Sequence, residues 1–181
     1  MSIDVQSIHS VSKALEEAER KYGLDVKEIK KRIDASMKSP EEKTQEALFY
    51  SLNRIAMDEP NWTFAAAHLH LSQLYREAAK NRGYNEEDRY GSFHHLIQTL
   101  TEKGIYSPAL LENYSKIEID ELQQTIVPER DKKFNYIGLF LLADRYLARD
   151  HDRNLYELPQ ERFMIIAMTL MQQESKEKRL E

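Results

Sequence analysis

The side chains best suited to hold a metal ion in this sequence are its six histidines: His9, His68, His70, His94, His95 and His151. His68 and His70 are two residues apart, and on a helix such side chains point about 200° away from each other. His94 and His95 are neighbours, which diverge by about 100°. A di-metal carboxylate bundle needs a glutamate three residues before an inward histidine, and none of the six has one. The spacing therefore predicts surface or boundary histidines and no metal site.

Asp150-His151-Asp152 is the one cluster with the composition of a metal site. Its three members are consecutive, lie in a predicted loop and are flanked by Arg149 and Arg153, which favours a solvated turn over a metal site. We interpret the cluster as a solvated turn.

Other kinds of active site have no support in the sequence. The glycines are isolated and three follow cationic helix ends, which indicates helix caps and no phosphate-binding loop. No serine lies in a nucleophile elbow, and the carboxylates alternate with lysine on polar helix faces. The chain has no cysteine, which excludes disulfides, thiolate catalysis and thiyl radicals. We predict no catalytic, cofactor-binding or metal-binding residue and no cofactor in this chain.

The composition limits the partners and the fold. Of 181 residues, 41% are hydrophobic and 31% are charged, with only 5 Gly and 5 Pro, which favours an α-helical fold. A net charge of −5 argues against a nucleic-acid binder. No apolar run approaches the roughly 20 residues of a bilayer helix, and Met1 to Ser10 lack the features of a signal peptide. We therefore expect a cytoplasmic protein with no nucleic-acid or membrane partner.

Several helix boundaries can be predicted from local signals. A first helix spans Val5 to Tyr22, on which Ile8 continues the apolar stripe. Ser39 followed by Pro40 and Glu42 predicts a capped helix start. The next signals predict a helix that follows the Asp58–Trp62 break and ends at Gly83, then a polar loop over 84–89. A further helix ends at Gly104, and a short helix after it is capped by Ser107-Pro108. The last of this group carries Ile119, Leu122, Ile126 and Val127 and ends at Pro128.

Two further segments are apolar on every side. They span Phe134 to Leu147 and Phe163 to Met171, and this pattern predicts that both helices are central. The polar stretch between them contains at most a brief extended segment, at 154–158. The predicted fold is all-α, an irregular bundle of about eight to ten helices with at most one very short extended segment.

From residue 58 onwards the sequence contains two recognisable stretches. The first is Asp-Glu-Pro-Asn-Trp-Thr-Phe-Ala-Ala-Ala-His-Leu-His-Leu-Ser-Gln-Leu-Tyr at 58–75. The second begins with Phe-Asn-Tyr-Ile-Gly-Leu-Phe-Leu-Leu-Ala-Asp-Arg-Tyr-Leu at 134–147 and continues with Glu-Leu-Pro-Gln at 157–160 and Phe-Met-Ile-Ile-Ala-Met at 163–168. In their order and spacing, these stretches resemble the N-terminal helical domain of the class I ribonucleotide reductase large subunit.

The chain departs from the family at several polar positions. Phe140 and Leu141 stand where a Lys-Thr pair is common, and Leu158 replaces an arginine before Pro-Gln. A second arginine is replaced by Ile165 or Ile166. The first 57 residues lack the Lys-Arg-Asp-Gly hairpin of the family's ATP-cone, so at most a partial or degenerate cone is expected there, with ATP and dATP bound weakly or not at all.

The resemblance implies two domains, 1–57 with N-terminal helices and 58–181 with the large-subunit helical domain. It implies a non-catalytic N-terminal portion of a ribonucleoside-diphosphate reductase large subunit, as an expression fragment or one product of a split gene. The family's catalytic cysteines lie in a downstream α/β barrel, so this chain alone is expected to be inactive. The implied partners are that barrel and, in the full enzyme, the radical-generating small subunit.

A second hypothesis is a stand-alone helical protein-interaction module without enzyme activity. Whether the reading frame, or an adjacent one, continues into a cysteine-bearing barrel distinguishes the two hypotheses. The two apolar helices indicate a covered surface, because a chain of this length has few other helices to cover them. If the barrel supplies the missing cover, Leu141 or Ile166 is expected to lie at the shared surface.

Overall fold

The computed structural model describes residues 5–179, with side chains from residue 11 onwards, and it confirms the all-α class. In that part of the chain the only strand-like pairing is an isolated antiparallel bridge between Arg149 and Leu155, inside the polar stretch where a brief extended segment was predicted. The helices are α1 Val5–Tyr22, α2 Lys27–Ala35, α3 Pro40–Ala56, α4 Trp62–Arg82, α5 Phe93–Glu102, α6 Ala109–Asn113, α7 Lys116–Gln123, α8 Tyr136–Arg145, α9 Pro159–Met171 and α10 Lys176–Arg179, with 3-10 helices at Glu86–Asp88 and Pro128–Lys133.

The chain divides into two units that are both discontinuous in sequence. The first comprises residues 1–73 and 132–140, and the second comprises residues 74–131 and 141–181. The three boundaries fall inside α4, the 3-10 helix Pro128–Lys133 and α8. The predicted domain boundary after residue 57 rests on the resemblance and stays a prediction.

In the first unit, α1 and α2 both pack against α3 and the start of α4. The α1 bounds agree with the prediction, although the side chains of Val5, Ile8 and His9 lie outside the described residues. Ser39 caps α3 as predicted: its hydroxyl accepts from the Glu42 amide, and the Glu42 carboxylate accepts from the Ser39 amide. The buried side chains of this core are Val11, Leu15, Ala18, Leu24, Val26, Ile29, Ile33, Ala47, Trp62, Ala65 and Leu69.

The second unit is built around α5, α7 and α9. Its core is larger and richer in aromatic rings: Phe93, Leu96, Ile97, Leu100, Tyr106, Leu110, Tyr114, Ile119, Leu122, Ala148, Tyr156, Ile165 and Met168. Ser115 caps α7 with the same reciprocal pattern, here with Glu118. The predicted loop over 84–89 contains the short 3-10 helix.

The prediction that Ile126 and Val127 continue a helix up to Pro128 is wrong, since α7 ends at Gln123. The physical reason is a competing partner. The Gln160 side chain accepts a hydrogen bond from the Val127 amide and donates one to the Val127 carbonyl, so this backbone is satisfied without a helix.

The prediction that α8 and α9 are central is also wrong. Each buries one face, with Leu139 and Ala143 on α8 and Ile165 and Met168 on α9. The opposite faces are apolar and exposed. They carry Ile137, Phe140 and Leu141 on α8 and Phe163, Ile166 and Leu170 on α9.

Candidate functional site

The most concentrated polar chemistry of the described residues lies in the second unit, at the start of α9. The segment Glu157-Leu158-Pro159-Gln160-Glu161-Arg162 places two carboxylates in the interior, with Glu157 and Glu161 both fully buried. Pro159 starts the helix at a position where no amide hydrogen is required. The carboxylates therefore lie where the chain enters α9, and each needs internal partners.

Arg82, the last residue of α4, is the main partner of Glu161. Its Nη1 lies 2.9 Å from Oε1 and 3.1 Å from Oε2 of Glu161, and Glu161 Oε2 also accepts from the Leu158 amide at 2.9 Å. The same guanidinium donates to the carbonyls of Tyr156 and Ser92. Burial raises the pKa of Glu161 to about 8, against the opposing effect of Arg82.

Glu157 is enclosed in the same way. One carboxylate oxygen accepts from the Tyr106 hydroxyl at 2.5 Å, and the other accepts from the Ala148 amide at 2.7 Å. Arg162 Nη2 lies 2.6 Å from Oε2 of Glu157. Burial raises the pKa of Glu157 and that of the Tyr106 phenol.

Asp131 forms the third buried acidic group. Its Oδ2 accepts from the hydroxyls of Tyr75 at 2.6 Å and Tyr90 at 2.5 Å, and its Oδ1 accepts from Gln160 Nε2 at 2.9 Å. Burial raises the pKa of Asp131 although all three donors favour its ionised form. The pKa values of Tyr75 and Tyr90 are raised mainly by burial.

Hydrogen-bond donors from within the second unit hold all three acids, and this explains their burial without a catalytic role. Glu157, Glu161 and Asp131 each accept at least three hydrogen bonds or ion-pair contacts from side chains and backbone amides. A general acid or base needs access to a substrate, which enclosed carboxylates lack. We interpret the network as the anchor that orients α9.

The outward face of α9 is the complementary feature. Phe163, Ile166 and Leu170 are 51%, 45% and 76% exposed, and their spacing of three and four residues puts them on one side of the helix. An apolar stripe of this kind on a rigid helix is typical of a surface that binds another protein segment. We call these three side chains the α9 outer face.

The histidines lie apart from this network. His68 is buried in the first unit, with Nε2 3.3 Å from the Lys132 carbonyl oxygen, and burial lowers its pKa. His70 lies beside the rings of Tyr136 and Phe140. No group of three or more His, Asp or Glu side chains in the described part of the chain is arranged to hold a metal ion.

The remaining histidines are on or near the surface. His94 is half-buried and His95 is exposed, both in the first turn of α5. His151 is exposed in a turn, with Nε2 3.1 Å from the Lys103 carbonyl oxygen. That turn is the one predicted for Asp150-His151-Asp152: Asp150 Oδ1 accepts from the amides of Asp152 and Asn154. Hydrogen bonds from Asn154 lower the pKa of Asp150.

Comparison with known proteins decides the family. The profile of the ribonucleotide reductase all-alpha domain matches residues 132–181, which include α8, α9 and the polar segment between them. The ribonucleoside-diphosphate reductase subunit alpha of Helicobacter pylori is 36% identical over 148 residues, which are 81% of this chain and 18% of that protein. The chain belongs to the ribonucleotide reductase large-subunit family. It corresponds to the family's N-terminal all-alpha domain.

Other members of the ribonucleotide reductase family match over similar lengths. The alpha subunit of Synechocystis is 31% identical over 131 residues, which are 72% of this chain and 16% of that protein. The Escherichia coli ribonucleoside-diphosphate reductase 1 subunit alpha is 27% identical over 128 residues, or 70% of this chain and 16% of that protein. The chain thus spans less than a fifth of the length of these ribonucleotide reductase subunits.

The positions at which the resemblance predicts departures from the family lie both in the interior and on the surface. Leu158 is fully buried and Ile165 is 5% exposed, whereas Ile166, the alternative to Ile165, is 45% exposed. Phe140 and Leu141 are 44% and 40% exposed.

No local pattern in the sequence indicates Arg82 or Asp131, which organise the buried network. Arg82 stands at the cationic end of its helix, where an exposed side chain is expected. The available signal is the composition of 157–162, where two glutamates flank a Leu-Pro-Gln that starts an apolar helix. Buried carboxylates at such a position require hydrogen-bond donors from elsewhere in the chain, but no local spacing identifies which ones.

No helix in the described part of the chain combines the length and the apolar content that crossing a membrane requires.

Proposed function

We propose that this chain forms the N-terminal helical portion of a ribonucleoside-diphosphate reductase large subunit and supports the catalytic barrel without performing chemistry. Support comes from the similarity over 81% of the chain to a reductase alpha subunit of which the matched residues make up 18%. The absence of cysteine supports a non-catalytic role, since the resemblance assigns the reducing thiols to the downstream barrel.

The observation that carries this proposal is the α9 outer face. Phe163, Ile166 and Leu170 expose an apolar stripe on a helix whose other face is anchored by the buried network. Covering such a stripe gains about 25 cal/mol per Å² of apolar area before association costs are subtracted. The remainder of the large subunit is the partner proposed for it.

Further parts of the proposal follow from the family. The radical-generating small subunit is a partner of the assembled enzyme. The chain itself holds no cofactor and no metal, it binds ATP and dATP weakly or not at all, and it acts in the cytoplasm. Residues 1–57 correspond to a partial or degenerate ATP-cone without nucleotide contacts.

The test is co-expression of the chain with a large-subunit fragment that carries the barrel, followed by size-exclusion chromatography. Deoxynucleotide formation from ribonucleoside diphosphates is then measured with the small subunit present. We expect a complex, and activity from the complex but from neither part alone. Phe163→Asp is expected to weaken the complex, because it puts a charge into the apolar contact.

Phe49→Asp is the matched control. Phe49 is also an exposed phenylalanine on a helix, at 69% exposure, but it lies on α3 in the first unit. It should leave the complex and the activity unchanged. A chain that stays monomeric, forms no complex and restores no activity would favour the stand-alone interaction module. Deoxynucleotide formation by the pure chain would contradict the proposal.

A further inference from the structure

A cleft of about 530 Å³ lies in the second unit, beside the buried network and separate from the α9 outer face. Its walls come from the turn before α6, from α6 itself, from the segment after α8 and from one side of α9. This volume lies within the range of small-molecule sites, which is about 300 to 1,000 Å³. All its lining residues belong to one unit.

The charged side chains that line the cleft are all positive. Arg149 and Arg162 both line the cleft, and no carboxylate is among the lining side chains that the structure describes. Glu157, the acid nearest to Arg162, is fully buried. Two guanidinium groups in one concave surface attract an anion and orient it by hydrogen bonds.

Arg162 is only partly satisfied by the protein. Its Nη2 contacts Glu157, whereas its Nε is buried without a partner. Its Nη1 makes no hydrogen bond within residues 11–179, and the Arg162 side chain is 21% exposed. The Glu157 carboxylate is shared with the Tyr106 hydroxyl and the Ala148 amide, so it is not dedicated to Arg162. Nη1 therefore retains donor capacity, and Arg162 lines the cleft.

Arg149 is held loosely. Its Nη1 donates to the Arg153 carbonyl at 3.0 Å and lies 3.4 Å from Glu77 Oε1, with both side chains partly exposed. An exposed ion pair of this length contributes little, so a bound anion can compete with Glu77 for the guanidinium.

Part of the lining is apolar. Ile105, Leu110 and Ile165 line the cleft, and the last two are also part of the buried core. Apolar side chains in the same cleft as two cationic groups suit a ligand that has an anionic group at one end and a hydrocarbon or aromatic body.

We infer that this cleft is a binding site for a small organic anion, whose carboxylate or phosphate group contacts Arg149 and Arg162 and whose apolar part packs against Ile105 and Ile165. The site is defined by residues of the second unit alone. It does not depend on the reductase assembly, so its test is independent of the proposed function.

Isothermal titration calorimetry on the full chain tests the site with three probes. Phenyl phosphate carries both features, inorganic phosphate carries only the charge, and benzyl alcohol carries only the apolar ring. We expect phenyl phosphate to bind one to one with a Kd below about 1 mM, and the other two probes to bind at least about tenfold more weakly. Benzoate, tested in the same way, distinguishes a carboxylate site from a phosphate site.

Two variants assign the binding to the cleft. Arg149→Gln removes one guanidinium without opening the core and should weaken phenyl phosphate binding by about tenfold or more. Ala109→Trp puts a large ring at a lining position and should abolish binding while leaving both arginines in place. Arg145→Gln, at an exposed arginine on α8 outside the cleft, is the matched control and should bind as the original chain does.

Circular dichroism shows that each variant is folded before it is titrated. The inference is overturned if phenyl phosphate gives no saturable heat. It is equally overturned if benzyl alcohol binds as tightly, or if Arg149→Gln and Arg145→Gln lose affinity to the same extent.

Discussion

Arg82 and Glu161 form a hydrogen-bonded pair that is closed off from water on all sides. The two side chains are 1% and 0% exposed, and they join the last residue of α4 to the first turn of α9 across 79 positions of sequence. Replacing a buried pair as a whole by apolar groups is often tolerated, but removing one partner is costly.

Arg82→Leu should lower the free energy of unfolding by about 3 kcal/mol or more, because buried Glu161 loses the hydrogen bonds from Arg82 and two backbone carbonyls lose their donor. The measurement is urea unfolding followed by circular dichroism. Arg145→Leu is the matched control, since Arg145 is also the last residue of its helix but is exposed. Equal effects of the two substitutions would contradict a stabilising role for the enclosed pair.

The free energy of unfolding should fall as the pH rises from about 5 to 8. The pKa of Glu161 is about 8 in the folded chain and near its ordinary value of 4.5 in the unfolded chain. Between these values the folded state holds a proton that the unfolded state has released, so raising the pH favours unfolding. The raised pKa values of Asp131 and Glu157 act in the same direction.

Glu161→Gln isolates this effect, because the amide has the shape of the protonated acid and does not titrate. The midpoint of urea unfolding should change less between pH 5 and pH 8 for this variant than for the unsubstituted chain. Glu112→Gln, at an exposed glutamate on α6, should keep the original pH dependence. Below pH 4.5 the trend reverses for groups such as Glu118, whose pKa the Ser115 amide and hydroxyl lower.

Tyr75 and Tyr90 should be energetically coupled through Asp131, since both hydroxyls donate to the same carboxylate oxygen. Each Tyr→Phe substitution should cost about 1 to 2 kcal/mol. The double variant should depart from the sum of the two, because it leaves Oδ2 of Asp131 without either donor. A double-mutant cycle by chemical unfolding measures the coupling, and Tyr146→Phe at an exposed tyrosine should have no effect. Strict additivity would show that Asp131 is satisfied by other means.

Ile165 and Ile166 are adjacent residues with opposite roles. Ile165 lies in the core of the second unit, whereas Ile166 lies on the α9 outer face. Ile165→Asp should unfold the unit, at a cost above about 4 kcal/mol. Ile166→Asp should keep helix content and the unfolding midpoint near their original values, as judged by circular dichroism and thermal melts. A severe loss of stability in both variants would show that the α9 outer face is part of the core.

The parts of the fold that follow from neighbours in sequence were predictable. Ser39, Pro40 and Glu42 start α3 because their contacts reach only three residues along the chain. The end of α7 was not predictable, because Gln160 satisfies the Val127 backbone from 33 positions away. Local spacing likewise does not predict the contact between Arg82 and Glu161, which are 79 positions apart.

The apolar pattern of α9 shows a different limit. Its sequence correctly predicts a helix without a polar face, but hydrophobicity does not say whether a face is covered by its own chain or by another. Leu170 is apolar and 76% exposed, whereas Met168 is apolar and 2% exposed. The Glu157-Leu158-Pro159-Gln160 motif shows a resemblance in sequence, but its structural role depends on distant partners, such as Tyr106 for Glu157 and Asp131 for Gln160.

The discontinuity of both units has a consequence for how the chain folds during synthesis. The first unit needs residues 132–140 to be complete, and the second needs α9, whose Glu161 closes the contact with Arg82. A ribosome that has made only residues 1–131 has therefore completed neither unit. Until about forty more residues emerge, through Met171, the core of the second unit lacks Ile165 and Met168. Chaperones that bind nascent apolar segments would find their longest opportunity in this interval.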